Sequence, residues 1–137
     1  IHLHNQGDAL MRTEDLPRAY AILTRSLSVA ERIGAERLVN LNQMMLAYLD
    51  ALNGSEPARK LLGQKLAHAE AQKWTWDALS GRTLLGKLLA QRGDAIGARR
   101  ELALAKRLAE TTSNKLVLDD CERALAELGR TRPSVRV

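Results

Sequence analysis

The sequence RTLLGKLLAQRGDAIGARRELALAKRLAE, residues 82–110, predicts two helices joined by a tight turn. Apolar residues recur at the three- and four-residue spacing of one helical face on either side of Gly93-Asp94, a pair that breaks helices. The inward residues are Leu84, Leu85, Leu88 and Leu89 in the first helix, and Ala98, Leu102, Ala105 and Ala109 in the second. The stretch therefore predicts an antiparallel helical hairpin.

The second helix of this hairpin recurs twice upstream, at offsets of 40 and 39 residues. An alanine, a leucine and a further alanine followed by glutamate match in all three copies. They are Ala98, Leu102 and Ala109, then Ala58, Leu62 and Ala69, then Ala19, Leu23 and Ala30. The first helix matches more loosely, with Gly86 over Leu46 and Gly7. A constant period in a helical chain indicates stacked repeats that bury each other's apolar faces.

We therefore expect an all-α protein of about seven helices. Three antiparallel hairpins, at about residues 1–34, 35–73 and 74–112, are expected to stack as a right-handed superhelix. A closing helix at 113–129 would complete one domain over residues 1–129. Residues 130–137 carry one proline and three arginines, and we expect a flexible basic tail there.

Polar and glycine residues between the apolar stretches predict the helix ends. Expected N-terminal caps are Asp15, Ser55, Thr75 or Asp77, and Ser113 or Asn114. Gly34 and Gly129 are expected to end their helices, because glycine adopts the left-handed backbone conformation freely.

Composition places the chain among globular proteins. Of its 137 residues, 45% are apolar and 27% charged, and it has no phenylalanine, so leucine and alanine must fill the core. No apolar run approaches the roughly 20 residues that span a bilayer, and the start lacks the features of a signal peptide. The single cysteine, Cys121, excludes an internal disulfide and predicts a reducing, cytoplasmic location. The opening isoleucine suggests a segment of a longer protein.

The net charge of +5 is unevenly distributed. Residues 1–53 hold 5 basic and 6 acidic side chains, and residues 54–137 hold 16 and 10. Five basic residues fall on the third hairpin: Arg92, Arg99, Arg100, Lys106 and Arg107. Nucleic-acid binding also needs stacking aromatic side chains or a recognition helix, and the sequence shows only the charge. We therefore expect these side chains on a solvated outer face.

The positions of Gly86, Leu89, Gly93-Asp94, Ala98, Leu102 and Ala105 resemble those of a tetratricopeptide repeat (TPR). In that family a small residue lies midway along the first helix, and an alanine and a large apolar residue open the second. The first repeat matches at Gly7, Leu10, Ala19, Leu23 and Leu27. The middle repeat departs, with Leu46 at the small position, and the period exceeds the family's usual 34 residues.

The longer period is similar to that of helical arrays in large bacterial regulators, including transcription activators and serine/threonine kinases. The resemblance implies protein or peptide binding in a concave groove and no chemistry of its own. The side chains expected to face that groove, opposite the apolar stripe of the first helices, are His4, Asp8, Asn40, Gln43, Ala47, Asp50, Ser80, Thr83, Lys87 and Gln91.

The sequence shows no catalytic, cofactor or metal motif. His2 and His4 are two residues apart and point to different faces of a helix, and His68 stands alone. Asp119 and Asp120 are adjacent and therefore diverge. Cys121 falls on the apolar side of its helix, so we expect a buried structural thiol rather than a nucleophile. We expect neither an enzyme nor a cofactor protein.

Three functions follow from these patterns. The first is a non-catalytic scaffold, part of a bacterial regulatory protein, that binds a protein or peptide or forms a homodimer. The second is an effector-sensing domain of a transcription regulator. The third, which the sequence disfavours, is nucleic-acid binding by the basic C-terminal half. The pattern identifies no partner.

Overall fold

The computed structural model describes residues 2–12 and 14–130, and this part of the chain is all-α. It contains seven helices and no strand, as the sequence predicts. They are α1 (His2–Arg12), α2 (Leu16–Ile33), α3 (Glu36–Leu52), α4 (Glu56–Ala71), α5 (Thr75–Gln91), α6 (Ala95–Thr112) and α7 (Lys115–Arg130). None of the described helices is long and apolar enough to cross a membrane.

The helices form two compact units, residues 1–74 and 75–137. In the first unit α1 packs on α2, α2 on α3, and α3 on α4. In the second unit α5 packs on α6, and α7 packs on both of them. Successive helices are joined by short turns, so each packed pair of neighbours is antiparallel.

Several helix ends form as the sequence predicts. Ser55 Oγ accepts a hydrogen bond from the Ala58 amide at 3.1 Å and caps α4. Asn114 Oδ1 accepts from the Val117 amide at 3.2 Å and caps α7. Gly34, with φ of 70°, ends α2 in the left-handed conformation.

Two predicted ends differ in detail. Asp15 is the N-terminal cap residue of α2, as predicted, but its side chain makes no cap bond, and its carboxylate lies 3.4 Å from the Arg18 guanidinium. Gly129 does not end α7, which continues to Arg130, because a glycine can remain helical where its turn is still hydrogen-bonded. Of the predicted basic tail, residues 131–137 lie outside the described residues.

Two glycines lie where neighbouring helices pack closely. A Cβ at Gly7 would lie 2.6 Å from Leu23 Cγ, and a Cβ at Gly86 would lie 2.7 Å from Leu102 Cγ. Real side chains do not approach so closely, so with any larger residue the leucine side chain or the helix that carries it would have to move. The structure thus gives a physical reason for the small residue midway along each of these first helices.

Helix α2 and the turns on either side of it recur as α6 and its turns, displaced by 79 residues along the chain. Helices α2 and α6 both have 18 residues, and both their first and last residues are 79 apart. The turns around them match as well: Glu14 and Gly93 have positive φ, as do Gly34 and Ser113. The buried positions correspond in pairs: Ala19 and Ala98, Leu23 and Leu102, and Ala30 and Ala109.

Helix α3, the third helix of the first unit, is buried on more sides than α7, the third helix of the second unit. In α3, Met44, Met45, Tyr48 and Ala51 are all buried. The residues 79 positions later in α7 are Arg123, Ala124, Glu127 and Arg130, none of them buried. Helix α3 has a helix on either side, whereas α7 presents a polar face away from α5 and α6, as suits a closing helix.

Candidate partner-binding surfaces

His4 lies in a buried polar chain of three side chains in the first unit, not on an open surface. Its Nδ1 is 2.8 Å from Asn42 Oδ1, and Asn42 Nδ2 donates to Ser26 Oγ at 2.9 Å. Because the Asn42 amide nitrogen donates to Ser26, its oxygen accepts and His4 Nδ1 carries the proton. His4 is 6% exposed, Asn42 0% and Ser26 2%. The expectation that His4 faces a groove is therefore corrected: it joins α1 to α3.

Other predicted groove residues of the first unit also have partners within the chain. Asp8 is half-buried and lies 3.3 Å from the Arg12 guanidinium. Asp50 accepts a hydrogen bond of 3.5 Å from the Tyr20 hydroxyl. Burial, followed by the charge and hydrogen bond of Asp50, raises the pKa of Tyr20 above its ordinary value. Ala47 is buried.

Asn40 and Gln43 line an open groove between α3 and α4. Asn40 is 4% exposed, and its Nδ2 donates to the backbone oxygen of Lys65 at 3.1 Å, which joins the two helices at the groove floor. Gln43 is half-buried beside it. The groove has a volume of about 260 Å³ and is lined by Glu36, Val39, Asn40 and Gln43 from α3 and by Gln64, Lys65 and His68 from α4.

The lining residues on α4 were not predicted from the sequence. Gln64 and His68 are four residues apart and so share one exposed face of α4, away from the buried Leu62 and Leu66. That spacing was the available signal, but groove residues were expected only on the first helix of each pair. The indole of Trp74 meets the His68 ring edge-on, with ring centroids 5.4 Å apart, at one end of the groove.

In the second unit, α7 contacts the face of α5 on which groove residues were predicted. Lys87 Nζ lies 2.9 Å from the Asp120 carboxylate. Thr83 is 3% exposed, donates to the backbone oxygen of Leu79 at 3.0 Å and lies 3.5 Å from Cys121 Sγ. Thr83 and Lys87 therefore hold α7, and the expectation that they face an open groove is corrected. Ser80 is half-buried and Gln91 is exposed.

Cys121 is a buried thiol, as predicted. It is fully buried among Leu79, Ala105, Ala109 and Val117. Burial raises the pKa of the Cys121 thiol, and the nearby Asp120 charge adds to this, while the Thr83 hydrogen bond and Lys87 act in the opposite direction. Since the thiolate is the nucleophile, a raised pKa and a closed site make this thiol unreactive.

The adjacent carboxylates of Asp119 and Asp120 lie in separate ion pairs. Asp120 pairs with Lys87, while the adjacent Asp119 lies 3.5 Å from Lys115, so the two aspartates point apart. Over residues 2–12 and 14–130, no group of three or more His, Cys, Asp or Glu side chains is placed to hold a metal ion.

The basic side chains of the third hairpin divide into exposed and paired groups. Arg99, Arg100 and Arg107 are exposed on α6. Lys106 is half-buried and lies 3.7 Å from Glu122 of α7. A second pair, Arg82 with Glu101 at 2.7 Å, joins α5 to α6. Lys106 and Arg82 thus form ion pairs between helices and do not add to a uniform basic patch.

Comparison of the chain with protein-family models, with curated proteins and with solved structures gave no match. The functional interpretation therefore rests on two features of the structure. One is the recurrence of α2 as α6 after 79 residues. The other is the open polar groove between α3 and α4.

Proposed function

We propose that the chain is a non-catalytic, TPR-like helical-repeat scaffold whose hairpins stack as a right-handed superhelix. Support comes from the equivalent hairpins α1–α2 and α5–α6, each closed by a leucine against a glycine. Repeated helical units of this kind expose extended surfaces suited to other polypeptides. The proposal places the chain in a larger cytoplasmic bacterial regulatory protein, consistent with its single cysteine.

The binding surface in this proposal is the α3–α4 groove, and its occupant is an extended peptide. The proposal rests on the side-chain amides that line the groove. Gln43 and Gln64 lie on either side of its floor, where Asn40 donates a hydrogen bond to the backbone oxygen of Lys65. Side-chain amides both donate and accept, as a peptide backbone does, and so can pair with it at any sequence. Glu36 and Lys65 add one charge of each sign, which suits a peptide with charged side chains.

A small-effector sensor receives less support from the same groove. Sites for small molecules are usually enclosed, largely apolar and about 300–1,000 Å³ in volume. The groove is smaller, at about 260 Å³, and it is open and lined mainly by polar side chains. A peptide laid along two helices needs neither enclosure nor an apolar lining.

Selection from a random peptide library, followed by affinity measurement on single peptides, tests the proposal. We expect selected peptides to bind the wild-type chain and to lose about tenfold or more in affinity with Gln43→Ala or Gln64→Ala. Gln6→Ala is the matched control, because Gln6 is exposed on α1 and does not line the groove. Failure to select any peptide, or equal binding by all three variants, would contradict the proposal.

A further inference from the structure

We infer that three buried positions form a pairing code that directs each third helix, α3 or α7, to its own hairpin. This inference concerns assembly of the fold and does not depend on the proposed function. The positions are His4, Ser26 and Asn42 in the first unit, and Thr83, Ala105 and Cys121 in the second.

The three positions are equivalent in the two units. The contacts His4–Asn42 and Thr83–Cys121 both join residues 38 apart, from the first helix of a unit to its third. Ser26 and Ala105 lie on the equivalent helices α2 and α6. All six residues are less than 9% exposed, the largest exposure being 6% at His4.

Two-residue turns tether each third helix to its hairpin, and these polar positions add selectivity because the apolar parts of the two hairpins are nearly the same. Each presents a leucine packed on a glycine, Leu23 on Gly7 and Leu102 on Gly86. The flanking buried alanines also correspond. Apolar packing alone therefore discriminates weakly between α3 and α7 as the helix that each hairpin receives.

In the first unit, the hairpin provides two polar groups that only an amide at the third position satisfies. Asn42 accepts from His4 Nδ1 with its oxygen and donates to Ser26 Oγ with its nitrogen. A thiol in place of Asn42 would neither accept well from the ring nor donate well to the hydroxyl. Both groups would then stay buried without adequate partners, which opposes α7 in this site.

In the second unit, the hairpin provides an apolar place for a thiol. Ala105 offers no polar group, and the Thr83 hydroxyl already gives its proton to the backbone oxygen of Leu79. An amide in place of Cys121 could donate to Thr83 Oγ, but its own oxygen would be buried without a donor, which opposes α3 in this site. The two sites therefore reject each other's helix for opposite chemical reasons.

The first experiment moves the amide into the second unit. With Cys121→Asn we expect amide hydrogen exchange in α5–α7 to accelerate about 10- to 100-fold, from an unsatisfied buried group. Adding Ala105→Ser supplies a hydroxyl at the position equivalent to Ser26, which can donate to the amide oxygen, and exchange should slow again about tenfold or more. Ala105→Ser alone is the control and should bring no such gain. A double variant that exchanges as fast as Cys121→Asn would overturn the inference.

The second experiment makes the two sites alike. The triple variant His4→Thr, Ser26→Ala, Asn42→Cys is unfolded and refolded at rising protein concentration under reducing conditions. We expect a dimer fraction at least severalfold above that of wild type, from exchange of third helices between copies. Leu66→Ala, which weakens α4 packing but keeps the code, is the control. Equal dimer fractions in the triple variant and this control would overturn the inference.

Discussion

The side chain of Leu102 packs directly on the backbone of Gly86, so closely that a Cβ at Gly86 would lie 2.7 Å from Leu102 Cγ. The same relationship, at 2.6 Å, joins Leu23 to Gly7 in the other unit. Gly86 therefore fixes the distance between α5 and α6. We expect Gly86→Leu to lower the free energy of unfolding by about 1–3 kcal/mol, because the helices must separate. Urea denaturation measures the change.

Gly63→Ala is the matched control for this prediction. Gly63 lies within α4, and a Cβ there would meet nothing within 4 Å. Alanine is the better helix former, so this substitution should raise the free energy of unfolding by about 0.5–1 kcal/mol. A gain of stability at Gly86 similar to that at Gly63 would show that helix propensity, not close packing, governs these positions.

The ion pair between Lys87 and Asp120 should contribute to the docking of α7. Its atoms are 2.9 Å apart, and the side chains are 28% and 12% exposed. Partial burial limits screening by solvent, so a double-mutant cycle of Lys87→Met and Asp120→Asn should give a coupling energy of about 1–2 kcal/mol. The cycle for Lys115 and Asp119, whose side chains are 84% and 46% exposed, should give close to zero. Equal coupling in both cycles would contradict this interpretation.

The buried Cys121 thiol should resist alkylation in the folded protein. Burial raises its pKa, so at any given pH less of it is thiolate than in an unfolded chain. At pH 8 we expect labelling by iodoacetamide to be at least 100-fold slower than in denaturant and to follow opening of α7. Rapid labelling without denaturant would contradict the burial.

The raised Cys121 pKa also sets the direction of a pH effect. The folded state favours the neutral thiol, so its contribution to stability is complete below the unfolded pKa. It is lost as pH rises from the unfolded pKa through the folded one. Wild type should therefore lose more stability than Cys121→Ala between pH 8 and 10, as thermal unfolding in reducing buffer would show.

Asp50 should control the ionisation of Tyr20. Burial and then the Asp50 charge and hydrogen bond raise the pKa of Tyr20, whose hydroxyl is 3.5 Å from that carboxylate. We expect Asp50→Asn to lower the pKa of Tyr20 towards its ordinary value, as read from tyrosinate absorbance at alkaline pH. The other tyrosine, Tyr48, is buried, so Tyr20→Phe assigns the signal. No downward change in Asp50→Asn would contradict the contact.

The helices could be predicted from the sequence because their ends and apolar spacing are local signals. Gly34, Ser55 and Asn114 end or cap helices where expected. Asp15 is the cap residue of α2, but its carboxylate lies beside Arg18, three residues on, and makes no cap bond. Gly86 and Gly7, which match in the repeat, both lie against a leucine.

The candidate site was harder to predict because its polar groups are paired across helices. A periodic pattern marks which side of a helix is apolar, and it assigned His4 and Thr83 to the open side. Only the packed structure shows Asn42 and Cys121 covering them. Gln64 and His68 were missed for another reason: they lie on the second helix of a pair, where no groove residues were expected, beside a groove that needs two helices to form.

We propose that the α3–α4 groove binds an extended peptide. Side-chain amide signals in nuclear magnetic resonance spectra of the full chain, titrated with a library-selected peptide, test it most directly. We expect the side-chain amide signals of Gln43 and Gln64 to change chemical shift, and those of Gln6 and Gln91 to stay unchanged. Shifts confined to residues of α5–α7, or none at saturating peptide, would contradict it.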